Sequence, residues 1–220
     1  MKNLIIDSRI RDIEYQYLSK YFNIIKLPLS KDVYDEISGH SDIFYCKIND
    51  RVICAPNSKF KETAFIEGNS IVKIKYPFDI PYNVCQIGDK IIGSKYTDTS
   101  ISVDVQVKQG YTKCSIAVTG DNSCITCDKG IVVELKKYGV DVLYIEENNI
   151  KLLKRDKSLS SMKGFIGGAT LKFDNEFIIF GDINNLENKD LVLEHLEKYN
   201  LELVDFKGLD IYDYGSGIIY

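Results

Sequence analysis

Residues 114–145 read CSIAVTGDNSCITCDKGIVVELKKYGVDVLYI, and this stretch carries one complete structural unit in chain order. Two short apolar runs, Cys114 to Val118 and Ser123 to Cys127, flank Gly120-Asp121-Asn122, a turn signal of the kind that joins antiparallel strands. Ile131 and Leu135 then recur at helical spacing, up to the closing Leu135-Lys-Lys-Tyr138. Gly139 follows where a left-handed cap is wanted, and glycine adopts that conformation without steric cost. Val140 to Ile145 is an apolar strand. The unit reads strand, strand, helix, strand.

Its parts recur along the chain. Leu18-Ser-Lys-Tyr21 and Leu196-Glu-Lys-Tyr199 close two further helices, the first with Ile13, Tyr17, Leu18 and Tyr21 at helical spacing, the second with Val192, Leu196 and Tyr199. Asn200 takes the cap position of the second, and strands follow at Asn23 to Leu27 and Leu201 to Phe206. Hairpins are predicted at 43–48/51–55, 84–87/90–93 and 169–173/177–180, around Asn49-Asp50, Gly88-Asp89 and Asp174-Asn175. A last one, 211–214/218–220, turns at Gly215-Ser216-Gly217. A period of tens of residues, in units that cannot bury their own apolar faces, points to a closed array. The chain opens in mid-unit, with a strand at Leu4 to Ile6 and a helix ending near Phe22, and it finishes on a hairpin. Joining the ends completes a fifth unit and removes the exposed sheet edge. The expectation is an α/β (α+β) fold of five ββαβ units in a pseudo-fivefold propeller, one domain over residues 1–220.

The composition agrees with such a body and excludes other classes. With 220 residues, 45% hydrophobic and 27% charged, the chain can bury a core and is not disordered. A net charge of −4 lacks the basic excess that phosphate neutralisation needs, so no nucleic-acid partner is expected. Charges interrupt every apolar run, and Asp7 and Arg9 end the first one before a signal-peptide core forms, so the reading is cytoplasmic with no membrane partner. Six cysteines in that setting are read as buried thiols. Cys124-Ile-Thr-Cys127 has redox or zinc spacing, but no second ligand pair stands at comparable spacing and the histidines are His40 and His195 alone. No metal and no cofactor is expected.

Five ββαβ units about a pseudo-fivefold axis resemble the pentein superfamily, the fold of the guanidino-group-modifying enzymes, and are most similar to a small bacterial family of that fold with no assigned function. The stretches that carry the resemblance are 39–43 (GHSDI), 76–83 (YPFDIPYN), 107–114 (VKQGYTKC), 164–168 (GFIGG) and 209–216 (LDIYDYGS). They lie at the entrances to successive units, where the fold implies an axial channel. Asp79 resembles the aspartate of the enzymes' Arg-Asp substrate-binding step, with an aromatic in place of the arginine. Gly167-Gly168 resembles their Gly-Gly-Asp step, but Ala169 stands where the aspartate should be. The enzymes' catalytic cysteine lies in the last unit, which here reads Tyr214-Gly-Ser216, and no histidine stands at the fourth-unit entrance. The usual hydrolase machinery is therefore displaced or absent.

The resemblance still implies a displaced site. Attack on a guanidinium carbon needs a thiolate, carboxylates that hold the cation, and an imidazole that shuttles a proton. In that reading Cys114, its pKa lowered by Lys113, attacks; His40 exchanges the proton; Asp42, Asp79 and Asp213 bind the cation. Asn83, Lys108, Lys113, Gly167 and Gly168 complete the binding set, the lysines suiting an anionic group on a small-molecule ligand. The alternatives stay open: a core thiol at Cys114, a loop hydrogen bond at His40, a proline-flanked turn at Asp79 and Asn83, and solvated lysines. The polar run Lys151 to Lys163 reads as a flexible loop over the channel mouth, either a lid or merely solvated. A non-catalytic propeller working through its surface is the alternative function. A polar pocket at His40, Asp79, Lys113 and Cys114 would favour the enzyme, and an apolar plug the interaction module.

Overall fold

The computed structural model describes residues 1–220, whose strands form five three-stranded sheets and one two-stranded hairpin. In the first sheet β1 (Lys2–Asp7) pairs in parallel with β2 (Phe22–Leu27) across the helix α1 (Asp12–Leu18), and antiparallel with the last strand, β17 (Ile218–Ile219). One helical turn, α2 (Ser41–Phe44), leads into the second sheet: β3 (Tyr45–Ile48), β4 (Arg51–Cys54) and β5 (Ile66–Glu67). The third holds β6 (Cys85–Ile87), β7 (Lys90–Ser94) and β8 (Val105–Val107). Another turn, α3 (Thr112–Ser115), leads into β9 (Ile116–Gly120) and β10 (Ser123–Thr126), and α4 (Lys129–Lys137) crosses to β11 (Asp141–Tyr144). The hairpin β12 (Lys151–Leu153) and β13 (Leu159–Lys163) precedes the fifth sheet, β14 (Thr170–Phe173) and β15 (Glu176–Ile179) followed by α5 (Lys189–Lys198) and β16 (Glu202–Val204).

Each sheet follows one scheme: the middle strand pairs antiparallel with the first and parallel with the third. The turn residues read from the sequence take the dihedrals their chemistry suits, with positive φ at Asn49, Gly88 and Asp174 in the hairpins and at Gly139 and Asn200 beyond the helices. The first strands neighbour one another, β17 beside β3, β3 beside β6, β6 beside β9 and β9 beside β14. Between β14 and β17, Ser216 donates its hydroxyl to the Thr170 carbonyl (2.7 Å) and its N–H to the Gly168 carbonyl (2.8 Å).

Four expectations are corrected. Only α1, α4 and α5 are crossover helices; residues 55–65 and 95–104 cross as turns, because neither segment carries a helical apolar stripe. In the latter, Asp98 accepts from the N–H groups of Asn69 (3.0 Å), Ser70 (2.6 Å) and Ser100 (2.9 Å) and holds a loop. The expected hairpin 211–214/218–220 does not form: Gly215 and Ser216 both have positive φ, Tyr212 bridges Lys151, and the partner of β17 is β1. Lys151 to Lys163 is an antiparallel hairpin, not a flexible loop, turned by Lys157 at φ +67. On α1 the buried residues are Glu14 and Leu18, while Ile13 and Tyr21 are exposed, because Glu14 turns inward to accept from the Tyr214 hydroxyl (3.1 Å).

The core is divided into four clusters. No helix is long and apolar enough to cross a membrane.

Candidate functional site

The segments preceding the five first strands touch in sequence around the centre of the molecule. Asn83 joins three of them. Its Oδ1 accepts from the N–H groups of Lys113 (2.7 Å) and Cys114 (3.2 Å), and its Nδ2 donates to the Asp42 carbonyl (3.2 Å) and to Cys114 Sγ (3.3 Å). Gly168 N–H then donates to the Cys114 carbonyl (2.9 Å), Asp213 accepts from Phe165 and Gly215 N–H (2.8 and 2.9 Å), and the Ser41 hydroxyl donates to the Gly215 carbonyl (3.2 Å). The turns α2 and α3 are only four residues long, and each gives way at once to extended backbone at Tyr45 or Ile116. They hold Asp42 and Cys114 inward: the thiol donates to Asp42 Oδ2 across 2.8 Å.

His40, Asp42, Asn83, Cys114 and Asp213 are all at most 2% exposed. His40 Nδ1 lies 3.7 Å from Asp213 Oδ1, beyond hydrogen-bond range. Both His40 ring nitrogens, Asp42 Oδ1 and Asp79 Oδ1 are buried with no hydrogen-bond partner in the protein. Such groups are few in folded proteins, so the three on neighbouring His40 and Asp42 call for a partner outside the chain. Ring nitrogen, carboxylate oxygen and sulfur of His40, Asp42 and Cys114 all lie within 4.8 Å of one another, a set of donors that suits zinc as well as proton transfer.

Glycine makes this density possible. A Cβ on Gly168 would lie 1.9 Å from Asp213 Oδ1, and one on Gly167 would meet the Lys113, Ile116 and Cys114 carbonyls at 2.4 to 2.6 Å. Both glycines let the neighbouring backbone and carboxylate approach more closely than a side chain would allow. Gly168→Ala is expected to cost about 3 kcal/mol, at the upper end for overpacking, because the obstructing carboxylate is itself buried and held by two N–H groups. The check is urea unfolding, and a change within experimental error would show that the centre relaxes.

Burial dominates the electrostatics. It pushes the Asp42 carboxyl up to about 6, against the Cys114 hydrogen bond and the Lys113 charge, and pushes Asp213 up to about 7, with Asp42 adding to the rise. It drives His40 well below the ordinary imidazole value, helped by the Arg9 charge. It raises the Cys114 thiol well above its usual range, assisted by Asp42 and Asp213. The expected lowering of Cys114 by Lys113 is therefore overturned: desolvation first, and then the Asp42 and Asp213 carboxylates, push the thiol up.

These shifts carry a stability signature. Asp42 and Asp213 titrate higher folded than unfolded, so their contribution is whole below about pH 4 and is lost as pH rises through about 6 and about 7. His40 runs the other way, its contribution being lost as pH falls below the ordinary imidazole range. Asp42→Asn, which needs no proton, should remove about 3 kcal/mol of the stability change between about pH 4 and pH 8. Parallel curves for wild type and variant in urea titrations would refute the assignment.

The remaining candidates divide. Asp79 is joined to the site through Tyr111, whose hydroxyl donates to Asp79 Oδ2 (2.7 Å) and whose ring stacks on Phe165. Lys108 is exposed and outside it. Lys113 contributes its backbone here and its charge to Asp42, and the residue also lines an open cavity. The centre is thus closed by polar groups, neither an open pocket nor an apolar plug. His195 is paired with Thr119 (2.9 Å), away from the cluster. Burial pushes both thiols of the Cys124/Cys127 pair up, Cys127 to about 12, which disfavours redox use.

Sequence reasoning missed Arg9 and Tyr111. Arg9 is 4% exposed, pairs with the fully buried Asp7 (2.6 Å), and donates to the carbonyls of Asp35 (3.2 Å), Glu36 (2.9 Å) and Leu153. It ties β1 to the β12–β13 hairpin, which is also fastened by Arg155 to Asp35 (2.8 Å) and Ser160 to Glu36 (2.8 Å). The signal available was two opposite charges at the end of an apolar strand.

Small sheets of this scheme, gathered about a polar centre, define the class: the chain has the fold of the penteins. Among solved structures it is similar to C. jejuni agmatine deiminase, at a TM-score of 0.50 and 13% identity over 91% of this chain and 74% of that one. It is also similar to a cysteine-to-serine variant of that enzyme with substrate bound, at 0.47 and 12% over 89% and 74%. No curated protein matches the chain. The chain belongs to the family of unknown function DUF6873, whose model matches residues 5–219.

Proposed function

We propose that residues 1–220 form a single domain of five three-stranded units closed about an axis by β17 on β1, and that the central cluster is a catalytic site for a small guanidino compound. The observation that carries the chemistry is the group of buried polar atoms without partners, Asp42 Oδ1 and the two His40 ring nitrogens, beside the Cys114 thiol, with Asp79 Oδ1 a further unpaired acceptor beyond Tyr111. A guanidinium is a planar cation that only donates hydrogen bonds, and it matches carboxylates in pairs. Its charge would offset the carboxylates that hold the thiol up, so substrate itself favours the thiolate. Cys114 passes its proton to Asp42, and the sulfur adds to the guanidinium carbon. His40, within 4.8 Å of both groups, relays a proton to the departing amine, which leaves as ammonia. Water then breaks the carbon–sulfur bond, giving the ureido product and restoring the thiol. Because the cluster is buried, the β12–β13 hairpin is the element that opens to admit substrate.

The test is ammonia release and thermal shift across agmatine, arginine and free guanidine, with and without a chelator. Turnover insensitive to chelation is the expected result. No shift with any compound, together with a Cys114 inert to iodoacetamide in the native protein, would overturn the reading in favour of a surface-acting propeller. Activity lost to chelator and restored by zinc would overturn it in favour of a metal site at His40, Asp42 and Cys114.

A further inference from the structure

A second site is lined by residues of β1, β3, β6, β9, β14 and β17. A cavity of about 360 Å³ opens there, walled by Val84, Val118, Leu171 and Phe173. Four lysines from four separate segments line it: Lys2 on β1, Lys47 on β3, Lys113 on α3 and Lys172 on β14. The one acidic side chain in the lining is Asp174. This is the reverse of the chain as a whole, in which 32 acidic residues outnumber 28 basic ones.

None of the four ammonium groups is in an ion pair, whereas other lysines are, such as Lys151 with Asp210 (2.7 Å) and Lys198 with Asp141. Lys172 donates to the Asp174 backbone carbonyl (2.7 Å), and Lys2 stands over the Phe173 ring. Lys47, Lys113 and Lys172 are half-buried. Gathering like charges around one concave surface is unfavourable unless an anion offsets them, and low-dielectric walls strengthen both effects. The volume is at the small end of ligand pockets, and the walls are apolar between the charges.

We propose that this cavity binds a small organic polyanion through Lys2, Lys47, Lys113 and Lys172. The groups recognised are phosphates or carboxylates, which ammonium donors contact as point charges. The site stands whether or not Cys114 is a nucleophile.

Isothermal titration calorimetry at physiological ionic strength tests it, with inorganic pyrophosphate in one arm and citrate in the other. The expected result is saturable single-site binding in at least one arm, weakened at least about tenfold in Lys47→Met/Lys172→Met. The control Lys129→Met/Lys137→Met removes the same charge from exposed positions on α4 outside the lining and should bind as wild type. Amide NMR shifts on titrating the wild-type protein, concentrated at Lys47 and Lys172, give the same answer without a variant. No saturable binding in either arm, an equal loss in the control, or shifts spread over the whole surface would overturn the proposal.

Discussion

Cys114→Ala is expected to reduce ammonia release from any guanidino substrate by at least about 10³-fold while the protein still folds. The nucleophile is lost outright, and no other cysteine can replace it: Cys85 is fully enclosed, with its thiol pushed up to about 11 by burial. The fold should survive because Asn83 keeps its contacts to the Lys113 and Cys114 N–H groups and to the Asp42 carbonyl, none of which uses the sulfur. Asp42→Asn should lower turnover as well, since it removes the acceptor 2.8 Å from the thiol, and it should shift the pH profile where Cys114→Ala leaves no profile to measure. Retention of turnover by Cys114→Ala would remove the nucleophile from the mechanism. Equal losses in binding and turnover for Asp42→Asn would make Asp42 a binding group only.

Arg9→Met is expected to destabilise the protein by about 3–5 kcal/mol, the cost of leaving a buried charge without its partner. Asp7 is fully enclosed and packs so closely on Gly39 that a Cβ there would approach its carboxylate to about 2.5 Å, so the freed charge is left buried. Three backbone carbonyls, of Asp35, Glu36 and Leu153, lose their donor together. Urea unfolding of Arg9→Met, Asp7→Asn and the double variant measures the pair: the double variant should lose clearly less than the sum of the single ones. Strict additivity would show that the two side chains act independently. Because Leu153 belongs to β12, amide exchange across 151–163 should also quicken in Arg9→Met, at temperatures where the five sheets remain protected.

The legible parts of the fold are those set within a few residues. Gly139 and Asn200 were readable as caps because left-handed backbone excludes most side chains, and both have positive φ. Asn49-Asp50, Gly88-Asp89 and Asp174-Asn175 were readable as turns for the same reason. The joining of the two chain ends was legible, and Leu4 and Ile5 do pair with 218–219, but the turn signal at Gly215 to Gly217 also suggested a local hairpin that does not form. The five-unit ββαβ reading implied a helix in every crossover, and 55–65 and 95–104, which lack helical periodicity, have none.

The site was legible as a set of unit entrances, and the structure draws His40, Asp42, Asn83, Cys114 and Asp213 together from them, with Asp79 one tyrosine away and Lys108 left outside. What the amino-acid sequence by itself determined was turn positions, caps and most strand spans, because these follow from backbone preferences and apolar spacing within short windows. Only the tertiary structure decided that Cys114 meets Asp42, 72 residues away, that the segment 211–214 pairs with Lys151 and not with 218–220, and that burial pushes the thiol up. Those outcomes depend on burial, and burial is set by every segment that packs against a group: the Lys113 beside Cys114 in sequence is outweighed by desolvation and two carboxylates brought in from elsewhere in the chain.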